Sequence, residues 1–174
     1  MSKTCLRKLS GNVTYDCTLP SYGIPEIYLM HVEDVTFTYS SDGTSIATVT
    51  FATGANSYKF EGYKQNIQVT SSFRSTDASG RFDVSIMFKT KLSGSAGRPL
   101  TTGKFYVMVV ERGSSGDNYI WGCNSPLECS NVEYDSNANG KLVTYTLSAP
   151  DGSAGNNLVL SLAPTSKTII SKSV

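Results

Sequence analysis

The feature that most constrains the fold is an alternation of apolar and polar residues that recurs along most of the chain. Val35–Tyr39 and Ser45–Phe51 both alternate, and the Asp42-Gly43 pair between them is typical of a hairpin turn. Because successive side chains of a strand point to opposite faces, this period predicts strands with one buried face. Turn-forming residues interrupt the pattern about every ten residues, which favours an antiparallel β-sandwich or barrel.

Two of the predicted strands, residues 65–74 and 81–92, are longer than the usual five or six residues and are joined by a polar segment. They predict a long hairpin that extends beyond the core of one subunit and offers strand edges to a neighbour. Its apolar face carries Ile67, Val69, Phe73, Phe82, Val84 and Ile86. Its polar face carries Gln68, Thr70, Ser72, Asp83 and Ser85.

Helical signals are scarce, and we expect at most one short helix, over residues 97–103. Pro99 suits its first turn and Gly103 its end. With no linker in view, residues 1–174 are predicted to form a single, mostly β domain. Residues 164–174, rich in Ser, Lys and Thr around Ile169-Ile170, are interpreted as an extended C-terminal tail that orders on a neighbour.

Cysteine and histidine usage disfavours enzyme and metal chemistry. Cys5, Cys17, Cys123 and Cys129 lack the close spacing of zinc ligands, and we interpret them as unpaired structural thiols. The single histidine, His31, is predicted to end a strand on a half-exposed surface, and no nucleophile motif accompanies it. We therefore expect no catalytic residue, cofactor or metal site, and a protein that is not an enzyme.

One segment partly matches a calcium-binding loop. Residues 135–140 follow the pattern Asp-x-Asn-x-Asn-Gly, but Thr146 occupies the position of the bidentate glutamate. Because Asn and Gly also favour tight turns, we interpret this segment as a turn between strands.

Charge and polarity point to self-association. The 15 basic and 14 acidic residues give a net charge of +1, which argues against a broad basic face for nucleic acid. No apolar leader or run of about 18 apolar residues is present, so we expect a soluble chain without membrane contact. Serine and threonine make up about a quarter of the chain, and ten tyrosines favour protein interfaces, as in a subunit of an assembly.

Several stretches follow one another in a definite order and spacing between residues 19 and 150. In chain order they are residues 22–29, 35–37, 58–64, 105–111, 119–122, 127–128, 135–140, 143–147 and 149–150. This layout resembles that of tail-tube and connector-ring proteins of tailed phages, especially small virion proteins of phages that infect Bacteroidetes, including the crAss-like group. Two departures are the short, proline-containing helix and the two cysteines with a proline in residues 123–129.

The resemblance implies a non-enzymatic virion subunit that assembles in the host cytoplasm into a homo-oligomeric ring of a tail tube or neck. Its partners would be copies of itself and other tail or neck proteins, with non-specific passage of DNA or cargo through the channel. In this hypothesis the apolar face of the hairpin forms the subunit interface, and its polar face lines the channel. The alternative is a carbohydrate-binding or adhesion sandwich. Such a module needs an exposed aromatic surface, whereas Trp121 lies in an apolar strand. A small β-sandwich hydrolase is disfavoured by the lone His31.

Overall fold

The structure is a computed structural model, and it describes residues 24, 26–43, 45–61, 67–74, 81–90, 94–110, 118–134, 136, 142–150, 160–162 and 169–170. In this part the chain forms strands, one short α-helix and a 3-10 turn, Val32–Asp34. The strands are β1 Glu26–His31, β2 Val35–Tyr39, β3 Ser45–Phe51, β4 Tyr58–Glu61, β5 Ile67–Arg74, β6 Arg81–Thr90, β7 Lys104–Val110, β8 Asn118–Trp121, β9 Leu127–Tyr134, β10 Val143–Ser148 and β11 Leu160–Leu162, and the helix is α1 Gly94–Thr102. The predicted mostly β fold with one short helix is confirmed.

The strands join in one 11-stranded sheet that does not close into a barrel. Its order is β2-β3-β11-β8-β7-β9-β10-β6-β5, while β1 pairs with the other side of β7 and β4 pairs with β1. The described pairings are antiparallel except that of β11 with β3, which is parallel. The strands that end this arrangement, β2, β4 and β5, each pair with one neighbour among the described residues.

The centre of the sheet is the antiparallel pair β1 and β7, which is buried on both faces. Ile27 and Leu29 of β1 point into one core, and Tyr28 and Met30 point into the other. The apolar run Lys104–Val110 divides in the same way between the two cores. A strand covered on both faces has no solvent side, so its sequence is continuously apolar and does not alternate.

The rest of the sheet supplies the two covers. The branch β9, β10, β6 and β5 covers one face, where Ile86, Phe88 and Leu147 are fully buried. The branch β8, β11, β3 and β2 covers the other, with Ile46 and Val49 buried against Met108 of β7. The layers therefore pack face to face, as the sandwich prediction requires.

The long hairpin is observed, with eight residues in β5 and ten in β6. Their register runs from Ile67 opposite Phe88 to Arg74 opposite Arg81. The segment that joins them lies outside the described residues. The hairpin predicted at Asp42-Gly43 also forms, with Gly43 at φ +69° and its N–H donating to the carbonyl of Ser40 at 2.9 Å.

The helix begins earlier than the sequence indicates. It starts at Gly94, so Pro99 is its sixth residue and does not lie in the first turn as predicted. Proline there removes one backbone hydrogen bond, and the helix is held by Leu100, which is buried in the core. The predicted end is correct, since the N–H of Gly103 donates to the carbonyl of Pro99 at 3.0 Å.

Two residues of the expected C-terminal tail are described, and they are not extended. Ile169 and Ile170 are helical, and Ile170 is fully buried in the core that contains Met108. The buried hydroxyl of Ser57 donates to the Ile170 carbonyl at 2.6 Å. Burial of a large aliphatic side chain and this hydrogen bond hold these residues on the domain. The remainder of residues 164–174 lies outside the described part.

We predict that Ile170→Ala lowers the free energy of unfolding by roughly 2–5 kcal/mol, because it leaves a cavity in the core. The matched control is Ile169→Ala, which changes a side chain that is 41% exposed and should have an effect within about 0.5 kcal/mol. Urea unfolding followed by the fluorescence of the single tryptophan, buried Trp121, measures both. Equal losses in the two variants would contradict the placement of Ile170.

Candidate functional site

A cleft of about 280 Å³ lies between α1 and the β4–β1–β7 part of the sheet. Its described lining is Leu29, His31, Tyr58, Phe60, Pro99, Leu100 and Phe105. The floor is formed by buried Leu29, Leu100 and Phe105, while Tyr58, 51% exposed, stands at the rim. We call this feature the aromatic cleft.

Strand register brings the aromatic side chains together. On one side of β1, Leu29 lies opposite Tyr58, and on the other side His31 lies opposite Phe105. The imidazole of His31 is 4.7 Å from the Phe105 ring and 5.8 Å from the Tyr58 ring, between centroids. His31 therefore ends β1 in a half-buried position, as predicted, but among aromatic rings.

The end of α1 shapes the cleft through a glycine. A Cβ atom on Gly103 would lie 2.6 Å from Cζ of Phe105 and 2.9 Å from the carbonyl oxygen of Pro99. Only glycine lets the Phe105 ring pack against the end of the helix. The described lining contains one imidazole and one phenol but no carboxylate, so it is suited to holding an apolar or aromatic group.

The predicted interface residues of the hairpin share one face, but most of them belong to the subunit's own core. Ile67, Val84 and Ile86 are at most 6% exposed and pack in the core beneath the hairpin. This corrects their assignment to a contact with a neighbour, because the chain itself covers them. Val69 is half-buried against the same core.

At the far end of the same face, two aromatic residues are accessible. Phe73 is 59% exposed and lies opposite half-buried Phe82, with ring centroids 5.2 Å apart. We call this pair the hairpin tip. It is the part of the predicted interface that a neighbour can reach.

The predicted channel-facing residues lie together on the other face of the hairpin. Register places Thr70 opposite Ser85 and Ser72 opposite Asp83. The same face continues onto β10 and β9, since Ser85 is paired with Ser148, and Thr146 is paired with Asn131. We call the following polar residues of this face the hydroxyl face: Gln68, Thr70, Ser72, Asp83, Ser85, Asn131, Thr146 and Ser148. The register places Met87, Lys89, Thr144 and Glu133 on the same side of the sheet.

Sequence reasoning missed the β9 and β10 members of the hydroxyl face. The alternation of Val143–Ser148 contains the signal, because its even-numbered residues are Thr144, Thr146 and Ser148. The pattern identifies one polar side of a strand, but it does not say which strand lies beside it.

The cysteines of the described part are free thiols with little reactivity. Cys123 and Cys129 are unpaired, as predicted, while Cys5 and Cys17 lie outside the described residues. Burial raises the pKa of the Cys123 thiol to about 12. Burial also raises the pKa of Cys129, although a backbone hydrogen bond at Asn131 opposes this effect.

Among the residues that the structure describes, no group of three or more His, Cys, Asp or Glu side chains is placed to hold a metal ion. The resemblance to a calcium loop falls mostly on residues outside the described part. In the same described residues, no helix has the length and apolar character needed to cross a membrane.

Comparison with known proteins adds no relative. No family model, curated protein or solved structure matches the chain.

We predict that Cys123 resists alkylation in the folded protein. A thiol with a pKa of about 12 is ionised at pH 8 in only about one molecule in ten thousand, and the thiolate is the species that reacts. Iodoacetamide labelling, quantified by peptide mass spectrometry, should be slow for Cys123 when folded and fast in urea. Equal labelling rates in the two conditions would contradict its burial.

Proposed function

We propose that the chain is a virion structural subunit of a tailed phage, which forms a homo-oligomeric ring of the tail tube or neck around a channel for DNA or cargo. The order and spacing of the stretches between residues 19 and 150 support this proposal. The fold is compatible with it, since the described chain is mostly β with one short helix and is consistent with the β-sandwich expected for such subunits. In this proposal the protein has no catalytic role.

The observation that carries the proposal is the open edge of the hairpin beside an exposed aromatic side chain. β5 pairs with β6 on one side and, within the described part of the chain, with no strand on the other. An open edge next to exposed Phe73 is a hazard for a free monomer, because strand edges and apolar patches drive association. In a closed ring, a neighbouring subunit would cover both the strand edge and Phe73 in one defined geometry.

The hydroxyl face suits a channel wall. Its named side chains are hydroxyls and amides apart from Asp83, and the register adds Lys89 and Glu133 to the same side of the sheet, so the described charges there are few and of both signs. Such a wall is hydrated and gives passing DNA no row of cations to bind, because tight binding to phosphates depends on lysine and arginine. The net charge of +1 agrees with this role.

A second candidate function, a carbohydrate-binding or adhesion module, is favoured by the aromatic cleft. Sugar rings pack against aromatic side chains, and Tyr58 offers an exposed ring with a hydroxyl. Trp121 does not contribute, since it is 7% exposed and lies in the core. A monomer that binds glycans would favour this function, whereas a glycan-independent ring favours the first.

We predict that Phe73→Ser weakens self-association at least about tenfold, because it removes the exposed aromatic group of the hairpin tip. The control is Tyr134→Ser, which removes an aromatic side chain of similar exposure, 61%, from β9. Size-exclusion chromatography with light scattering over a concentration series measures both variants. The proposal fails if the unmodified protein is monomeric throughout, and the role of the tip fails if both variants behave alike.

We further predict that duplex DNA binds the protein no more tightly than about 1 µM near 0.15 M salt, since the channel wall carries few cations. Fluorescence anisotropy with a labelled duplex, repeated over a range of salt concentrations, measures this affinity. Submicromolar binding with a steep salt dependence would contradict the channel-wall role and indicate a DNA-binding protein.

A further inference from the structure

The turn between β2 and β3 places an aspartate directly before a glycine on the surface of the protein. Among the described aspartates, Asp34, Asp42 and Asp83, only Asp42 is followed by glycine, and the other two are followed by valine. Asp42 and Gly43 are both exposed, and a Cβ atom added to Gly43 would meet nothing within 4 Å. The other Asp-Gly pair of the sequence, residues 151–152, lies outside the described residues. The Asp42 carboxyl group and the peptide bond that follows it are therefore accessible to water.

An Asp-Gly sequence carries all the atoms of a rearrangement that needs no enzyme and no oxidant. The backbone nitrogen of the glycine attacks Cγ of the protonated aspartate side chain, and the amide hydrogen leaves with the carboxyl hydroxyl as one water molecule. The new N–Cγ bond closes a five-membered cyclic imide. Water then adds to one of the two ring carbonyl carbons and breaks its bond to nitrogen. Opening at the side-chain carbon restores aspartate, whereas opening at the main-chain carbon leaves isoaspartate. Glycine favours the attack because it has no Cβ atom in the way.

The hydrogen bonds of the turn oppose this reaction in the folded protein. The N–H of Gly43 donates to the carbonyl of Ser40 at 2.9 Å, so the attacking nitrogen is held by the turn. The hydroxyl of Ser40 donates to Oδ1 of Asp42, and it accepts the N–H of Ser45 at 3.1 Å. The nitrogen can attack only when its bond to Ser40 opens. Ser40 is therefore a positioning residue, which holds both reacting groups of the Asp-Gly pair.

We propose that Asp42 is a modification site, which converts spontaneously to isoaspartate at a rate set by the opening of the Ser40–Gly43 turn. Opening is easy at this place, because exposed hairpin ends open at a much lower free energy than core strands. Among the described residues, β2 is also held by β3 alone. Isoaspartate adds one carbon atom to the main chain, so the modified turn no longer presents the Gly43 N–H to the Ser40 carbonyl in the same geometry. This inference does not depend on the proposed ring.

Peptide mapping of the aged protein tests the site. The full chain is incubated for several weeks at neutral pH, digested with trypsin and analysed by electron-transfer fragmentation, which distinguishes isoaspartate from aspartate. We expect isoaspartate to accumulate at position 42, but not at Asp34 of the same tryptic peptide, residues 9–59, nor at Asp83. The Asp42→Ser variant supplies the blank for that peptide. The absence of isoaspartate at position 42, or equal accumulation at Asp34 and Asp42, would refute the proposal.

The Ser40→Ala variant tests whether the turn sets the rate. It removes the hydroxyl contacts with Asp42 and Ser45 but keeps the carbonyl, so isomerisation of the folded protein should become about two- to tenfold faster, the factor that corresponds to one hydrogen bond. In concentrated guanidinium chloride the turn is lost, and both chains should isomerise at one common rate that exceeds the rate of the folded, unsubstituted protein. Circular dichroism confirms that both proteins are folded before incubation. A folded rate as high as the unfolded one, an unchanged rate in the folded variant, or a difference between the two chains in denaturant would overturn the control by the turn.

Discussion

Burial of β1 and β7 on both faces is the constraint on which the rest of the structure depends. A strand pair without a solvent side needs two covers, and one sheet provides both by folding back over its own centre. The cover over the first face includes the hairpin, so its inner residues are committed to the subunit's own core. The same central pair forms the floor of the aromatic cleft through Leu29 and Phe105. Packing and candidate function therefore depend on the same strands.

Much of the secondary structure could be predicted from local pattern. Alternation identified the hairpin, and glycine chemistry identified the end of the helix at Gly103, because both are properties of a few neighbouring residues. The start of the helix was wrong, since Pro99 is typical of a first turn but tertiary burial of Leu100 outweighs that preference.

The candidate site was harder to predict because it depends on pairing between distant segments. The aromatic cleft joins residues from β1, β4, α1 and β7, and no local motif announces it. Alternation correctly grouped Ile67, Val84 and Ile86 on one face, yet it could not tell whether the chain itself or a neighbour covers them. Only Phe73 and Phe82, at the end of the same face, extend beyond that cover.

The position of the last described residues has a consequence for the order of folding. β11 lies between β3 and β8, and Ile170 completes the core that contains Ile46 and Met108. During synthesis these residues leave the ribosome after nearly all of the sheet, so the nascent chain exposes a gap and an unfilled core until then. Contacts over more than a hundred residues, such as Ser57 to Ile170, close late and slowly. The sheet and this core are therefore completed only after the strands that precede β11 in the chain have been translated.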